Sequence, residues 1–290
     1  MFGASRTSIA ALREHLDALY AGNTKQPALL KFIGDLLTSG IKAAGFSTGG
    51  EGLLAIVDVL DRERSLRIRL ADPASSPESR DAIANALFDG KVSPLALGLF
   101  RMIIDSRWSS DADMVDATEE AGATLLLMAA ETEGSLDKVE EELFRFGRAI
   151  DANADLQMAL TDPATSPEVK SGIVTTLLDG KAETVTVLLL SHTTSHLRGR
   201  RIQDAVTALS ELAGRRRGQL IANVRTAVSL SKEQAKRLTK ALAQLHGRDI
   251  ELNVIVDESV VGGIEVQIGD EVFDGTISSK LEQARRRMTG

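Results

Sequence analysis

The chain has 290 residues, of which 43% are hydrophobic, 26% are charged and none is cysteine. This length can bury a sizeable core and predicts two or three domains. The lack of cysteine excludes disulfides, thiolate metal sites and catalytic thiols. The net charge of −7 is uneven, since residues 198–248 carry a balance of +9 and the rest of the chain −16. Such asymmetry indicates one region that meets an acidic partner and another that meets a basic one.

The chain shows no targeting or membrane signal. Its N-terminus, MFGASRTSIAAL, has neither the basic start nor the apolar core of a secretory signal. The longest apolar runs, such as residues 123–130 and 185–190, fall far short of the ~20 residues that a membrane helix needs. We therefore expect a soluble chain without direct membrane insertion, whose membrane association would depend on a partner.

The first third of the chain predicts a loose helical unit. Residues 7–20 form an amphipathic helix, and a second helix carries Leu53, Ile56 and Leu60 on one face. Residues 21–50 have no clear counterpart later in the chain. The glycine-rich segment 45–52, GFSTGGEG, predicts a flexible loop.

An internal repeat organises the chain. Residues 70–91 and 160–181 are identical at 12 of 22 positions without a gap. Each copy begins a short helix with Ser-Pro-Glu, in which Ser76 or Ser166 is the N-cap, and ends it with Asp-Gly-Lys. The apolar pairs Ile83/Leu87 and Ile173/Leu177 lie four residues apart, which predicts a buried pair in both copies.

The second unit reads as a helical bundle. Predicted helices cover residues 114–131, 135–151, 182–197 and 200–217. The second of these is acidic and carries a one-sided apolar stripe of Val139, Leu143, Phe146 and Ile150.

The periodicity changes near residue 219. A strand over 220–228 precedes a helix that begins with a Ser231/Gln234 capping box, whose predicted apolar face is Ala235, Leu238, Leu242 and Leu245. Strands over 250–256 and 264–268, a Gly269-Asp270 turn, a further strand and a basic helix from residue 277 follow. The predicted fold is mostly α: tandem helical bundle units over 1–111 and 112–217, then a small α+β C-terminal module over 218–290.

No catalytic constellation stands out. His192 and His196 share a helix face, but no HExxH glutamate or cysteine accompanies them, so we interpret them as surface residues and expect no metal site. Gly90-Lys91 and Gly180-Lys181 end helices rather than begin them, which excludes a phosphate loop. The arginine runs 215–217 and 285–287 lack interleaved aromatic residues for base stacking, so nucleic-acid binding is not expected. We expect no catalytic residue, no cofactor and no metal.

The C-terminal segment carries a specific resemblance. VDESVVGGIEVQIGDEVFDGTISSKLEQARRRM, residues 256–288, closely resembles the end of the delta subunit of F-type ATP synthase, the oligomycin-sensitivity-conferring protein family. AVSLSKEQAKRLTKAL and GSLDKVEEELFRFGRAI resemble further parts of the family, so that the resemblance covers about residues 113–288. Roughly 110 residues precede this range and partly repeat the bundle, in which the chain resembles delta subunits of the actinobacterial type, including the DSRWSS stretch from Asp105. The motif positions are Val256, Asp257, Gly262, Gly263, Gly269, Asp270, Asp274 and Gly275.

The resemblance implies a mechanical role. It implies a non-catalytic stator subunit that links the catalytic head to the peripheral stalk and so couples proton-driven rotation to ATP synthesis. The helical bundle, expected to be the second unit, would bind N-terminal helices of the alpha subunits, and the C-terminal module would bind the C-terminal end of the b subunit. Contacts with other head subunits, one copy per complex, and a peripheral position on the cytoplasmic side of the cell membrane are also implied.

Three alternatives remain at the level of sequence. A helical-repeat adaptor of another complex would explain the duplication but not the C-terminal motif. An enzyme would need a polar pocket that the sequence does not indicate. A nucleic-acid binder would use the basic stretch 198–248 and would bind in a salt-dependent way.

Overall fold

Helices dominate the computed structural model, which describes residues 3–20, 39–217, 220–246, 250–257, 260, 262–268 and 271–274. Contacts divide the chain into two compact units, 1–217 and 218–290. The helices of the first unit are α1 Ala4–Tyr20, α2 Ser39–Arg62, α3 Arg64–Ala71, α4 Pro77–Phe88, α5 Pro94–Asp105, α6 Asp111–Glu133, α7 Leu136–Ala152, α8 Ala154–Thr161, α9 Pro167–Leu178, α10 Thr184–Ser195 and α11 Ile202–Arg217.

The internal sequence repeat is a structural repeat. Helices α3, α4 and α5 begin 90 residues before α8, α9 and α10. The predicted caps are confirmed: Ser76 Oγ accepts a hydrogen bond from the Ser79 amide at 3.3 Å, and Ser166 Oγ accepts one from the Val169 amide at 3.4 Å. The same local chemistry therefore builds the same short helix twice.

Helix α6 belongs to both repeats. Met114, Leu125 and Met128 lie in a core built with α1, α2, α4 and α5, whereas Leu126 and Leu127 lie in a core built with α7 to α11. The predicted stripe of α7 is buried in this second core, as expected. The expected division at residues 111 and 112 stays a prediction, because the helix that begins there lines both cores.

The predicted flexible loop over residues 45–52 is wrong, since these residues lie within α2. A side chain at Gly50 would place its Cβ 2.7 Å from Leu126 Cγ and 2.8 Å from the carbonyl oxygen of Gly122, and one at Gly49 would lie 2.8 Å from Leu95 Cδ2. The glycines thus allow α2 to approach α5 and α6 closely, and this gain offsets their low helix propensity.

Part of α2, Lys42–Arg62, is long and apolar enough to cross a membrane by length and composition. The expectation that every apolar run is too short is therefore corrected for this helix. Its apolar residues Leu53, Ile56, Val57 and Leu60 are fully buried in the first core. Burial within the helical fold accounts for this composition.

The predicted buried pairs of the repeat are only partly right. Leu177 is 42% exposed, and Ile83, Leu87 and Ile173 are half-buried at the edges of the two cores. The fully buried residues of α4 and α9 are instead the equivalent Ala84 and Val174. The inward face lies one residue further along the chain than predicted.

The C-terminal unit holds a four-stranded sheet. Its elements are β1 Leu220–Thr226, α12 Lys232–His246, β2 Ile250–Val256, β3 Ile264–Ile268 and β4 Glu271–Asp274, with the strand order β2-β1-β3-β4. Helix α12 connects the parallel strands β1 and β2, and the other pairs are antiparallel. The Ser231/Gln234 capping box is confirmed by reciprocal hydrogen bonds of 2.8 and 3.2 Å.

The small core of this unit contains Val224, Leu242, Ile250 and Val266. Leu242 is the buried anchor of α12, as predicted, but Leu245 is exposed, which is contrary to the predicted apolar face. The Gly269-Asp270 turn and the basic helix expected from residue 277 lie outside the described residues.

Candidate functional site: exposed apolar surfaces and a buried polar cluster

The structure describes five of the eight predicted motif residues. Val256 ends β2, and Asp257 follows it directly. Gly262 and Gly263 precede β3 with φ angles of 153° and 86°, a region that favours glycine. Asp274 ends β4. Gly269, Asp270 and Gly275 lie outside the described residues.

An ion bridge fixes the end of β2 to the middle of the sheet. Arg225 on β1 donates to Asp257 at 2.7 Å and pairs with Glu265, its cross-strand neighbour on β3, at 3.3 Å. The Asp257 amide also donates to the Thr226 carbonyl at 2.9 Å. The motif aspartate therefore has a structural role in joining three strands.

The face of the sheet opposite to Arg225 and Glu265 is apolar. Strand register places Val254, Val256 and Phe273 on the same face as the core residues Val224 and Val266. All three side chains are nevertheless exposed, and Val256 is exposed by 51%. Val254 and Val256 lie on β2 and Phe273 on β4, the two edge strands, whereas Val224 and Val266 between them are buried. The exposed pair Val254 and Val256 at the motif end of β2 thus forms an apolar patch, which is a suitable surface for a helical partner.

The two helical repeats differ in their exposed apolar residues. Among the described residues, the second repeat exposes Phe144, Met158, Val169 and Leu177, whereas the first exposes Ile68 alone among large apolar side chains. Phe144 occupies the position 90 residues after Leu54. Leu54 is 7% exposed and packs into the second core, whereas Phe144 is 59% exposed. The second repeat therefore covers Leu54 of the first repeat, whereas the equivalent surface of the second repeat, around Phe144, is uncovered.

A polar cluster lies where α2, α6 and α10 meet. The acidic members Asp58, Asp61, Asp116 and Glu119 come from α2 and α6, and His192 comes from α10. His196, Arg198 and Arg200 come from the segment between α10 and α11. The interpretation of the two histidines as surface residues is wrong, because only 9% of the His192 side chain is exposed.

Arg198 is the hub of this cluster. Its guanidinium pairs with Asp61 at 3.3 Å, with Asp116 at 2.9 Å and closely with Glu119. Arg198 also has a φ of 47°, the left-handed region that a residue with a Cβ adopts at a cost. Three carboxylates thus hold a strained backbone in place.

The cluster keeps Glu119 ionised. Burial raises the pKa of this carboxyl, but His192, Arg198 and Arg200 overcome the effect and lower the pKa to about 2. Burial lowers the pKa of His192, and the neighbouring Asp58 and Glu119 carboxylates raise it above its usual value. A buried carboxylate with this many cationic partners fixes helix positions rather than transferring protons.

Sequence reasoning missed Asp58, Glu119 and Arg198. Asp58 and His192 are 134 positions apart, so their meeting depends on the packing of α2 against α10. The available signal was the repeat itself. At the positions of Met102, Ser106 and Trp108 in the first repeat, the second carries His192, His196 and Arg198. Three polar replacements at apolar or neutral positions mark a new contact.

Comparisons with known proteins agree with the C-terminal motif. Residues 121–288 match the family model described as ATP synthase delta (OSCP) subunit. This range is close to the 113–288 expected from the resemblance.

Curated relatives extend the match to the whole chain. "ATP synthase subunit delta" of Streptomyces griseus is 41% identical over 290 residues and covers all of both chains. The protein of the same name from Streptomyces avermitilis is 42% identical over 286 residues, or 99% of this chain and 98% of its own length. That of Thermobifida fusca is 38% identical over 290 residues and covers all of both chains.

A solved structure, the Toxoplasma gondii mitochondrial ATP synthase hexamer, contains a chain that is 16% identical with a TM-score of 0.27. That match covers 58% of this chain and 95% of that one, and it is too distant to carry an argument. The family model and the full-length relatives are decisive: this chain belongs to the ATP synthase delta (OSCP) subunit family.

Proposed function

We propose that this chain is the stator subunit that links the catalytic head of F-type ATP synthase to the peripheral stalk, so that proton-driven rotation is coupled to ATP synthesis. As a member of the delta (OSCP) family it is a peripheral-stalk subunit of that complex. The observation that carries the proposal is the match over the full chain to curated delta subunits at about 40% identity.

The second repeat is the proposed site for the N-terminal helices of the alpha subunits. Exposed apolar side chains are the anchors of helix-in-groove recognition, and four of the five on the described helices of the first unit, residues 1–217, lie in this repeat. Few aromatic residues are available, so Phe144 and Met158 would carry much of the contact.

The C-terminal module is the proposed site for the end of the b subunit. The exposed apolar patch of Val254 and Val256 on β2 gives it a surface to bury, and the Arg225–Asp257 bridge on the other face of the sheet holds the strands in register. The motif residues Gly262, Gly263, Gly269, Asp270, Asp274 and Gly275 would shape the turns before and after strands β3 and β4.

Several parts of the proposal follow from this mechanical role. The subunit would have no catalytic residue or cofactor of its own, would bind no nucleic acid and would be present in one copy per complex. It would lie on the cytoplasmic side of the cell membrane, held there by the other subunits.

The alpha contact can be tested with equivalent substitutions in the two repeats. Met158 and Ile68 are exposed residues at the same repeat position, 90 residues apart. In the full chain, Met158→Asp should weaken binding of an alpha N-terminal peptide, whereas Ile68→Asp should leave it unchanged. The opposite pattern would assign the alpha site to the first repeat.

The b contact has its own test. Val256→Asp should weaken binding of a b C-terminal peptide, and Lys236→Ala, an exposed change on α12, should not.

Full coupling of proton flow to ATP synthesis also needs both contacts. ATP synthase membranes stripped of this subunit should recover ATP-driven proton pumping with the wild-type chain and not with Val256→Asp. Recovery without any added chain would contradict the stator role.

A further inference from the structure

Three ligand atoms converge at the contact between α2 and α10. Asp58 Oδ1 lies 3.2 Å from His192 Nε2 and 3.2 Å from His196 Nε2. The two imidazole rings, one helical turn apart, stack with centroids 4.5 Å apart. All three donor atoms lie within 4.8 Å of one another.

The other ring nitrogens determine what faces Asp58. His196 Nδ1 lies 3.1 Å from the His192 carbonyl oxygen, which can only accept, so this nitrogen carries the proton. His192 Nδ1 faces Glu119 Oε1 at 3.6 Å, and the carboxylate favours a proton there as well. If both rings are neutral, both Nε2 lone pairs then point at a carboxylate oxygen, and either a proton on a ring or a bound cation is needed between them.

The net charge around these atoms also favours a bound cation. With neutral imidazoles, the cluster has four carboxylates, from Asp58, Asp61, Asp116 and Glu119, and two guanidiniums, from Arg198 and Arg200, so it carries two negative charges. At its edge Arg62 and Glu168 pair with each other at 3.7 Å and cancel. Protonating both rings would bring two positive charges to 4.5 Å of each other, whereas one divalent ion supplies the same charge without that repulsion.

We propose that Asp58, His192 and His196 form a binding site for a divalent transition-metal ion of the zinc class, which ties the first helical repeat to the second. Zinc bonds to nitrogen and oxygen are about 2.0–2.2 Å long, and tetrahedral geometry then separates neighbouring donors by about 3.3–3.6 Å. The 3.2 Å separations are close to this range.

The surroundings have the features of a metal site. Each histidine has an outer partner for Nδ1, a carbonyl for one ring and a carboxylate for the other, as metal-bound histidines usually do. Asp58 is partly exposed, so an ion can enter and a water can complete a tetrahedron of three protein ligands. The site does not depend on the stator assignment, and it departs from the sequence-based expectation of no metal.

The test uses the full chain, stripped of metal by a chelator and titrated with Zn²⁺ in a calorimeter. The expected result is one Zn²⁺ per chain and a higher melting temperature at saturation. His196→Ser, which installs the residue found at the equivalent first-repeat position, and Asp58→Asn should each weaken binding by more than about 100-fold, beyond the range of an outer-partner change. His15→Asn is the matched histidine control and should bind as the wild type does.

Co²⁺ gives an independent measurement that needs no variant. In the wild-type chain it should show the intense visible absorption of a tetrahedral ion, and Zn²⁺ should displace it. The proposal is overturned if no saturable one-to-one binding occurs, if bound Co²⁺ keeps the weak spectrum of its octahedral aqua complex, or if folded His196→Ser and Asp58→Asn bind as tightly as the wild type.

Discussion

The two helical repeats of this delta-family subunit share a scaffold but not a surface. Leu70 and Leu160 are both fully buried, and both copies use a serine cap followed by proline. They differ at Leu54 and Phe144, the first covered and the second exposed. Duplication thus kept what each repeat needs in order to fold and changed what each repeat meets. Substitutions at equivalent positions of the two repeats can therefore separate residues needed for folding from residues that differ in their contacts.

The contact between the repeats should give the largest effect. Replacing Arg198 by alanine leaves the buried carboxylates of Asp61 and Glu119, and the partly exposed one of Asp116, without their shared cation, so we expect the free energy of unfolding to fall by about 3–5 kcal/mol. Urea unfolding followed by circular dichroism measures it. Arg201→Ala, which removes an exposed pair with Asp204, should lower the free energy of unfolding far less, because exposed ion pairs contribute little. Equal losses would show that the cluster does not join the repeats.

The next effect contrasts one position in its two copies. Leu54→Ala should destabilise the chain by about 2–5 kcal/mol, because it opens a cavity in the second core. Phe144→Ala, at the equivalent exposed position, should change stability by no more than about 0.5 kcal/mol. Chemical denaturation of both variants measures the two changes in the free energy of unfolding. A large loss for Phe144→Ala would mean that its surface is covered after all.

A smaller effect concerns the close approach of α2 to α6. Gly50→Ala should cost about 1–3 kcal/mol despite the better helix propensity of alanine, because its Cβ would clash with the backbone of α6. Gly172→Ala, in α9 with open space around it, should instead stabilise by up to about 1 kcal/mol. Thermal melting of the pair gives the sign of each change. If Gly50→Ala stabilised the chain, the close approach of α2 to α6 would not require a glycine at this position.

The smallest effects should be equal in the two repeats. Ser76→Ala and Ser166→Ala each remove one hydrogen bond to an amide in the first helical turn, and each should cost about 1 kcal/mol. Unfolding free energies that differ by much more than the measurement error would show that the repeats rely on their caps to different degrees.

Local features could be predicted from the sequence, and features that depend on distant packing could not. The caps at Ser76 and Ser166 and the Ser231/Gln234 box depend on residues three positions apart, and the stripe of α7 depends on a single helix. The glycines of α2 were misinterpreted because their role depends on partner helices 40 or more residues away. The burial of His192 depends on Asp58 and Glu119, which no local pattern connects to it.

The C-terminal motif shows a third situation. Its residues identified the family, yet their contacts could not be deduced from spacing. Asp257 turns out to join three strands through Arg225 rather than to face outward. A motif can therefore identify a protein correctly while the roles of its residues are still unknown.

Because α6 completes one bundle and opens the next, the junction between them is a continuous rod. Its 23 residues span about 35 Å of uninterrupted helix. A joint of this kind has no linker that can flex, so a twisting load applied at one end reaches the other with little elastic loss. A truncation that removes either bundle would therefore expose the side of α6 that this bundle covers.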